Sequence, residues 1–177
     1  ENSAYGNVTV VERQGQYTFL ADGIPILNAP VPDVALSEEI VHLPMLFVAE
    51  PRRALVLSGG LGGVLRELAK YPLEQIEYTE LDPLLIEAVQ RFPTPLTVDE
   101  LGDPRLRVEL VDGRLLVREM QGEAAAYDLA IVNLPYPSTL LLNRFYTTEF
   151  FQMVQELLTD DGVIVVAVPG SLSYLSD

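Results

Sequence analysis

The sequence predicts an α/β protein, a parallel doubly wound sheet with a small antiparallel β cap ahead of it. Three observations predict this. Strand-like runs at Ala54–Leu57, Ile76–Leu81, Leu106–Val111, Tyr127–Val132 and Val163–Val168 alternate with segments of helical spacing, the pattern of successive βα units. A glycine cluster, Gly59-Gly60-Leu61-Gly62-Gly63, follows the first run, and Glu80 and Asp82 close the second. Residues 5–27 instead show short alternating segments broken by Gln14-Gly15 and Asp22-Gly23, which are hairpin signals.

Taken in order, Val8 and Val10, Tyr17 and Phe19, and Ile24 and Ile26 alternate with other residues to give the cap. Pro30 and Pro32 mark a loop, which places the domain boundary between residues 33 and 34. A helix over about Ala35–Phe47 follows, with Leu36, Ile40, Leu43 and Phe47 at helical spacing and so expected inward. Val64, Leu65, Leu68 and Ala69 share a face in the helix after the glycines, and Pro72 ends it. Pro83 suits a helical first turn, and Leu85, Ala88, Val89 and Phe92 form the next buried stripe before Pro93 and Pro95 stop it. A helix from about Arg114 to Met120 follows Asp112-Gly113. A stronger one runs from Thr147 to Leu158, with Phe150, Phe151, Val154, Leu157 and Leu158 inward, and Asp161-Gly162 turns into the last strand. The chain stops shortly after that strand and starts at Glu1, so it is expected to be a piece of a longer protein whose C-terminal strands are missing.

The stretch Ala54–Asp82 carries the functional signal. Strand, glycine turn, helix, strand and acid form a nucleotide-binding βαβ unit. Glycines let backbone approach a ligand, and an acid at the end of the second strand accepts hydrogen bonds from a ribose hydroxyl pair; Glu80 lies twenty residues after Gly60. Leu65 stands where a dinucleotide fingerprint has its third glycine, and no Lys-Ser or Lys-Thr follows for a P-loop. The expected ligand therefore has a ribose but no pyrophosphate at the turn, which points to S-adenosylmethionine or a relative. Because ligands of such sheets lie beyond the carboxyl ends of the strands, Gly59–Gly63, Glu80, Asp112 and Asn133 should meet at one crevice.

Composition narrows the partners. Acidic residues outnumber basic ones 26 to 11, a net charge of −15, which repels phosphate backbones and argues against nucleic acid. The same surface suits cationic ligands such as polyamines. With no Cys and one His there is little material for a metal site, and none is expected. No apolar run is long enough to span a bilayer.

Together the motifs resemble the spermidine synthase family, the polyamine aminopropyltransferases. The likeness rests on Tyr5-Gly6, Asp22-Gly23, LVLSGGLGGVLREL, YTELDP, GDPRLRVELVDGR, YDLAIVN and FYTTEFF, in that order. It implies a Rossmann-like, S-adenosylmethionine-methyltransferase-like core and a co-substrate such as decarboxylated S-adenosylmethionine or S-adenosylmethionine. By position, Glu80 would hold the ribose hydroxyls, Asp112 with Gly113 the adenine amino group, and Gly59, Gly60, Leu61 and Gly62 the backbone side of the pocket. The wording NLPYPST…LNRFYT looks closer still to spermidine-synthase-like domains of multi-pass membrane proteins. That implies a cytoplasmic domain tethered to a membrane through flanking segments. Relatives often pair through their β caps, and a homodimer and a monomer both stay open.

The departures from the family bear on chemistry. Leu61 replaces an Asp that binds the aminopropyl amine, and Ile26 replaces a Gln that holds the nucleoside. Leu36, Ser37 and Glu38 replace Tyr-His-Glu, leaving Glu38 either as a substrate-binding acid or as a solvated helix residue. The fourth-strand motif Asp-x-x-Asp-Pro reads Asn133-Leu134-Pro135-Tyr136-Pro137. Aminopropyl transfer needs a group that accepts the amine's proton, and Asn cannot ionise, so ordinary spermidine synthesis is not expected. Asn133 and Tyr136 remain the catalytic candidates, Asn133 as an acceptor for the amine and Tyr136 as a stacking or covering ring. The same four residues resemble the Asn-Leu-Pro-Tyr signature of adenine-N6 methyltransferases, which keeps a small-molecule amine methyltransferase as an alternative. A non-catalytic nucleoside- or polyamine-sensing module is the other.

Overall fold

The computed structural model describes residues 1–122, 124–134 and 139–168. Strands β1 (Val8–Arg13), β2 (Gln16–Ala21) and β3 (Ile24–Ala29) form an antiparallel sheet in that order. Both hairpin turns have positive φ at their two central residues, Gln14 (55°) and Gly15 (79°), then Asp22 (50°) and Gly23 (81°). This geometry matches the right-handed twist of the flanking strands. Helix α1 (Val34–Met45) leads into the main sheet, its amino end capped by Asp33.

The chain then runs β4 (Arg53–Leu57), α2 (Val64–Leu68), β5 (Gln75–Thr79), α3 (Pro83–Arg91), α4 (Pro95–Leu101), β6 (Leu106–Glu109), α5 (Gly113–Glu119), β7 (Tyr127–Val132), α6 (Leu140–Asn143), α7 (Thr148–Gln155) and β8 (Leu158–Val166). All five strands are parallel, in the order β6-β5-β4-β7-β8. The predicted α/β class and antiparallel cap are both present. The chain leaves β4 toward β5 and β6 on one side and reaches β7 and β8 on the other. The switch point of the sheet thus lies between β4 and β7.

Alternation along the two central strands explains their unbroken apolar character. Ala54, Val56, Leu129 and Ile131 face one core with α1, α2 and α3. Leu55, Leu57, Ala130 and Val132 face the other with α5 and α7. Successive side chains of a strand point to opposite faces, so a strand covered on both sides has no polar position to spare. Phe19, Leu27 and Ala29 of the cap belong to the first of these cores.

Three elements differ from expectation. Helix α1 buries Ser37, Ile40, Val41, Pro44 and Met45, while Leu36 and Leu43 are exposed and Phe47 is 75% exposed. Its apolar residues occupy more than one face, so spacing alone fits two stripes; small Ser37 is the residue that fits beneath Gly63. Pro95 starts a helix instead of only ending one, because proline is tolerated at a first helical position, and Thr94 and Thr97 close a capping box around it. Strand β8 begins at Leu158, not Val163. From Tyr127 to Leu129, β7 advances two residues while β8 advances five, from Leu158 to Val163, so Asp160, Asp161 and Gly162 form an irregular bulge instead of a turn.

Candidate functional site

The glycine turn leaves β4 through backbone that most residues avoid. Ser58 (φ 64°), Gly59 (61°), Gly62 (85°) and Gly63 (125°) are all in the left-handed half of the map. At Gly59 a side chain would collide with the backbone carbonyl of Asn133 at the end of β7. At Gly60 a Cβ would lie 2.9 Å from the ring of Tyr78 on β5. The glycines here are required by the protein's own close packing across the switch point. Leu61, where the family resemblance implies an acid, is 4% exposed and packed into the core beneath the turn.

Glu80 stands one residue beyond β5, 5% exposed. Its Oε2 accepts a 2.6 Å hydrogen bond from the Tyr78 hydroxyl and faces Ser58 Oγ at 3.5 Å; Oε1 accepts a long 3.4 Å contact from the Asp82 amide, and the Leu81 amide also bonds the carboxylate. Burial raises the carboxyl's pKa, and the Tyr78 bond works against that rise by favouring the charged form. Asp82 caps α3 through the Leu84 amide and takes a 2.7 Å bond from Ser3 Oγ, so its side chain is engaged in structure.

On the far side, Asp112 caps α5 through the Arg114 amide at 2.9 Å, and its other oxygen pairs with Arg144 just beyond α6. Gly113 packs against the end of β5, where a Cβ would meet Thr79 Oγ1 at 2.9 Å. Asn133 donates from Nδ2 to the Gly59 carbonyl at 2.8 Å, which directs its amide nitrogen at the turn. Tyr136 lies outside the described residues. The turn, Glu80 and Asn133 are thus brought together at the carboxyl ends of β4, β5 and β7.

Glu38 sits elsewhere. It neighbours His42 and Glu67, the three presenting ligand-type atoms within 4.8 Å of one another. Glu67, fully buried, is already neutralised by Arg66 and Lys70 and bonded to His42 Nε2 at 2.8 Å, while His42 Nδ1 meets the Tyr71 hydroxyl at 2.7 Å. The Lys70 ammonium pairs with Glu67 Oε2, one of the oxygens a metal ion would draw on.

One residue at the turn was not legible in the sequence. Glu100, on α4 and 3% exposed, accepts from the amides of Gly62 (3.0 Å), Gly63 (2.7 Å) and Arg66 (3.4 Å). Its carboxylate fills the concavity of backbone N–H groups that phosphate occupies in dinucleotide folds. Burial raises its pKa, and these backbone bonds oppose the rise. The signal for its helix was Thr94-Pro95 with Thr97 three residues on.

The Spermine/spermidine synthase domain family matches residues 33–172. A polyamine aminopropyltransferase of Korarchaeum cryptofilum is 35% identical over 135 residues, covering 75% of this chain and 40% of that protein. One from Mycobacterium tuberculosis H37Rv is 32% identical over 166 residues, covering 93% of this chain and 31% of that one. A crystal structure of spermidine synthase in complex with the transition-state analogue AdoDATO superposes with a TM-score of 0.83 at 27% identity, over 94% of this chain and 56% of the other. The chain therefore spans less than half of these two curated relatives, and, by the match to its sequence and its fold together, it belongs to the spermine/spermidine synthase family.

Proposed function

We propose that this chain binds an adenosyl sulfonium or thioether nucleoside, of the decarboxylated S-adenosylmethionine or methylthioadenosine type, and takes part in aminopropyl or related alkyl transfer to a small amine or polyamine. The observation that carries this is Glu80: a buried carboxylate beside a left-handed glycine turn, held by Tyr78 and by backbone amides at the end of its strand. A ribose hydroxyl is the group such a carboxylate would accept from. The solved relative in complex with AdoDATO supports the same ligand class.

In the transfer, the amine lone pair attacks the carbon next to sulfur, the C–S bond breaks, and its electrons neutralise the sulfonium. A proton must then leave the attacking nitrogen. Leu61 and Asn133 cannot take it, and Asn133 already spends its amide nitrogen on Gly59. We therefore propose slow or absent turnover of common diamines. Asp112, with Arg144 on one oxygen, would share that oxygen with an adenine amino group. Tyr136 and Glu38 stay candidates, for ring stacking and for attracting a cationic substrate. We also propose, from the NLPYPST…LNRFYT wording, that the parent protein carries membrane-spanning segments; no helix among the described residues is long and apolar enough to cross a membrane.

Calorimetry with methylthioadenosine, S-adenosylmethionine and its decarboxylated form tests the reading. Tightest binding of the decarboxylated form or of methylthioadenosine is expected. Preference for S-adenosylmethionine with methyl transfer would make the domain an amine methyltransferase. Absence of binding to all three would overturn the proposal.

A further inference from the structure

We infer that Tyr78 is a positioning residue of the nucleoside site, fixing both the direction of the Glu80 carboxylate and its spacing from the glycine turn. This rests on the reading that Glu80 accepts from a ribose hydroxyl. Tyr78 is on β5 with no exposed surface, and it touches both halves of the crevice at once. Its hydroxyl donates to Glu80 Oε2 at 2.6 Å. Its ring edge occupies the space that a side chain at residue 60 would need, with Cδ2 2.9 Å and Cε2 3.0 Å from an ideal Cβ there.

The geometry follows from strand chemistry. Residues 78 and 80 are two apart and so lean to the same side of the sheet. A ring long enough to pass beneath Gly60 ends with its hydroxyl at the next same-side residue. Removing that hydroxyl would take away the shortest hydrogen bond to the carboxylate, leave the 3.5 Å Ser58 contact and the backbone amides to hold it, and loosen its aim. Oε1, whose contact from the Asp82 amide is long at 3.4 Å, would then lose the fixed aim that a hydroxyl of the sugar needs. Gly60 is thus small for the sake of Tyr78, and Tyr78 is large for the sake of Glu80.

A cycle of protein and ligand changes tests this. Methylthioadenosine and its 2′-deoxy and 3′-deoxy counterparts are titrated into the wild-type chain and into Tyr78→Phe, which keeps the ring and removes one oxygen. The wild type should prefer the ribose form by about tenfold or more over at least one deoxy form (about 1.4 kcal/mol per tenfold). In Tyr78→Phe, affinity for methylthioadenosine should fall about tenfold, while affinity for that deoxy form stays within about twofold. A role in packing alone would lower all three affinities together, and that result overturns the inference. Repeating Tyr78→Phe in a Glu80→Gln background should add no further loss; an equal second loss would also overturn it. If the wild type binds methylthioadenosine without telling it from either deoxy form, the Glu80 reading itself fails and the inference falls with it.

Discussion

Asn133 donates its side-chain amide to the Gly59 carbonyl at 2.8 Å, a bond that ties the end of β7 to the turn after β4. The residue at the usual position of the acid is thus a staple across the switch point of the sheet. An aspartate there would set a carboxylate against that carbonyl with no proton to share.

Asn133→Asp is accordingly expected to cost about 1–2 kcal/mol, the range for leaving a partly buried polar group without its partner. For a chain of this size the melting temperature should fall roughly 2–8 °C, read by differential scanning calorimetry. An unchanged melting temperature would show that the bond contributes nothing.

Glu80→Gln should separate stability from function. Burial places the folded carboxyl's pKa above its ordinary 4.5, so the folded chain holds its proton to higher pH than the unfolded one. Stability therefore falls as pH rises from about 4.5 through the folded value and stays reduced above it. The substitution removes that cost. At pH 7 the variant should resist urea better than the wild type, the difference vanishing below about 4.5, while methylthioadenosine affinity drops at least about tenfold. A variant less stable than the wild type at pH 7 would contradict this.

Glu67 behaves oppositely. Burial would raise its pKa, but hydrogen bonds from Lys70, His42 and Arg66 outweigh that and hold it below 4.5. Its contribution is present above about 4.5 and lost as pH falls through the folded value. Glu67→Gln should cost about 1.5–3 kcal/mol at pH 7, as for hydrogen bonds to a charged group, and flatten acid unfolding. A chemical-denaturation series from pH 3 to 7 reads both effects, and parallel curves would refute the assignment.

Glu100→Gln should loosen the turn from outside the βαβ unit. The neutral side chain keeps one acceptor oxygen but turns an N–H₂ toward at least one of the three amides. Leaving a buried amide N–H without its acceptor costs about 1–3 kcal/mol. Hydrogen exchange at Gly62 and Gly63 should accelerate, and methylthioadenosine affinity should weaken by about threefold or more. Exchange as slow as in the wild type would remove Glu100 from the turn.

The parts of the fold that were legible share a cause. Tyr127–Val132 read as a buried strand because both faces are covered, and the glycine cluster read as a turn because Asn133 and Tyr78 crowd it. The face of α1 was not legible, since Leu36 and Val41 both satisfy helical spacing and only the fit of Ser37 beneath Gly63 decides. Helix α4 was hidden because Pro95 reads as a stop as readily as a start. Glu100 and Tyr78 were missed for a further reason: each acts on a partner far off in sequence or through a ring–backbone contact that no spacing rule encodes. Glu80 could be singled out because its register with Gly60 belongs to one local unit.

The cap has a bearing on where this chain can be cut. Leu27 lies against Gly62, Phe19 and Ala29 complete the same apolar interior as Ala54 and Leu129, and Ser3 reaches Asp82. A fragment starting at Asp33, where the family match begins, would open a greasy hollow directly behind the glycine turn. Anyone trimming the protein for expression should keep those first thirty residues, since they form the back wall of that turn.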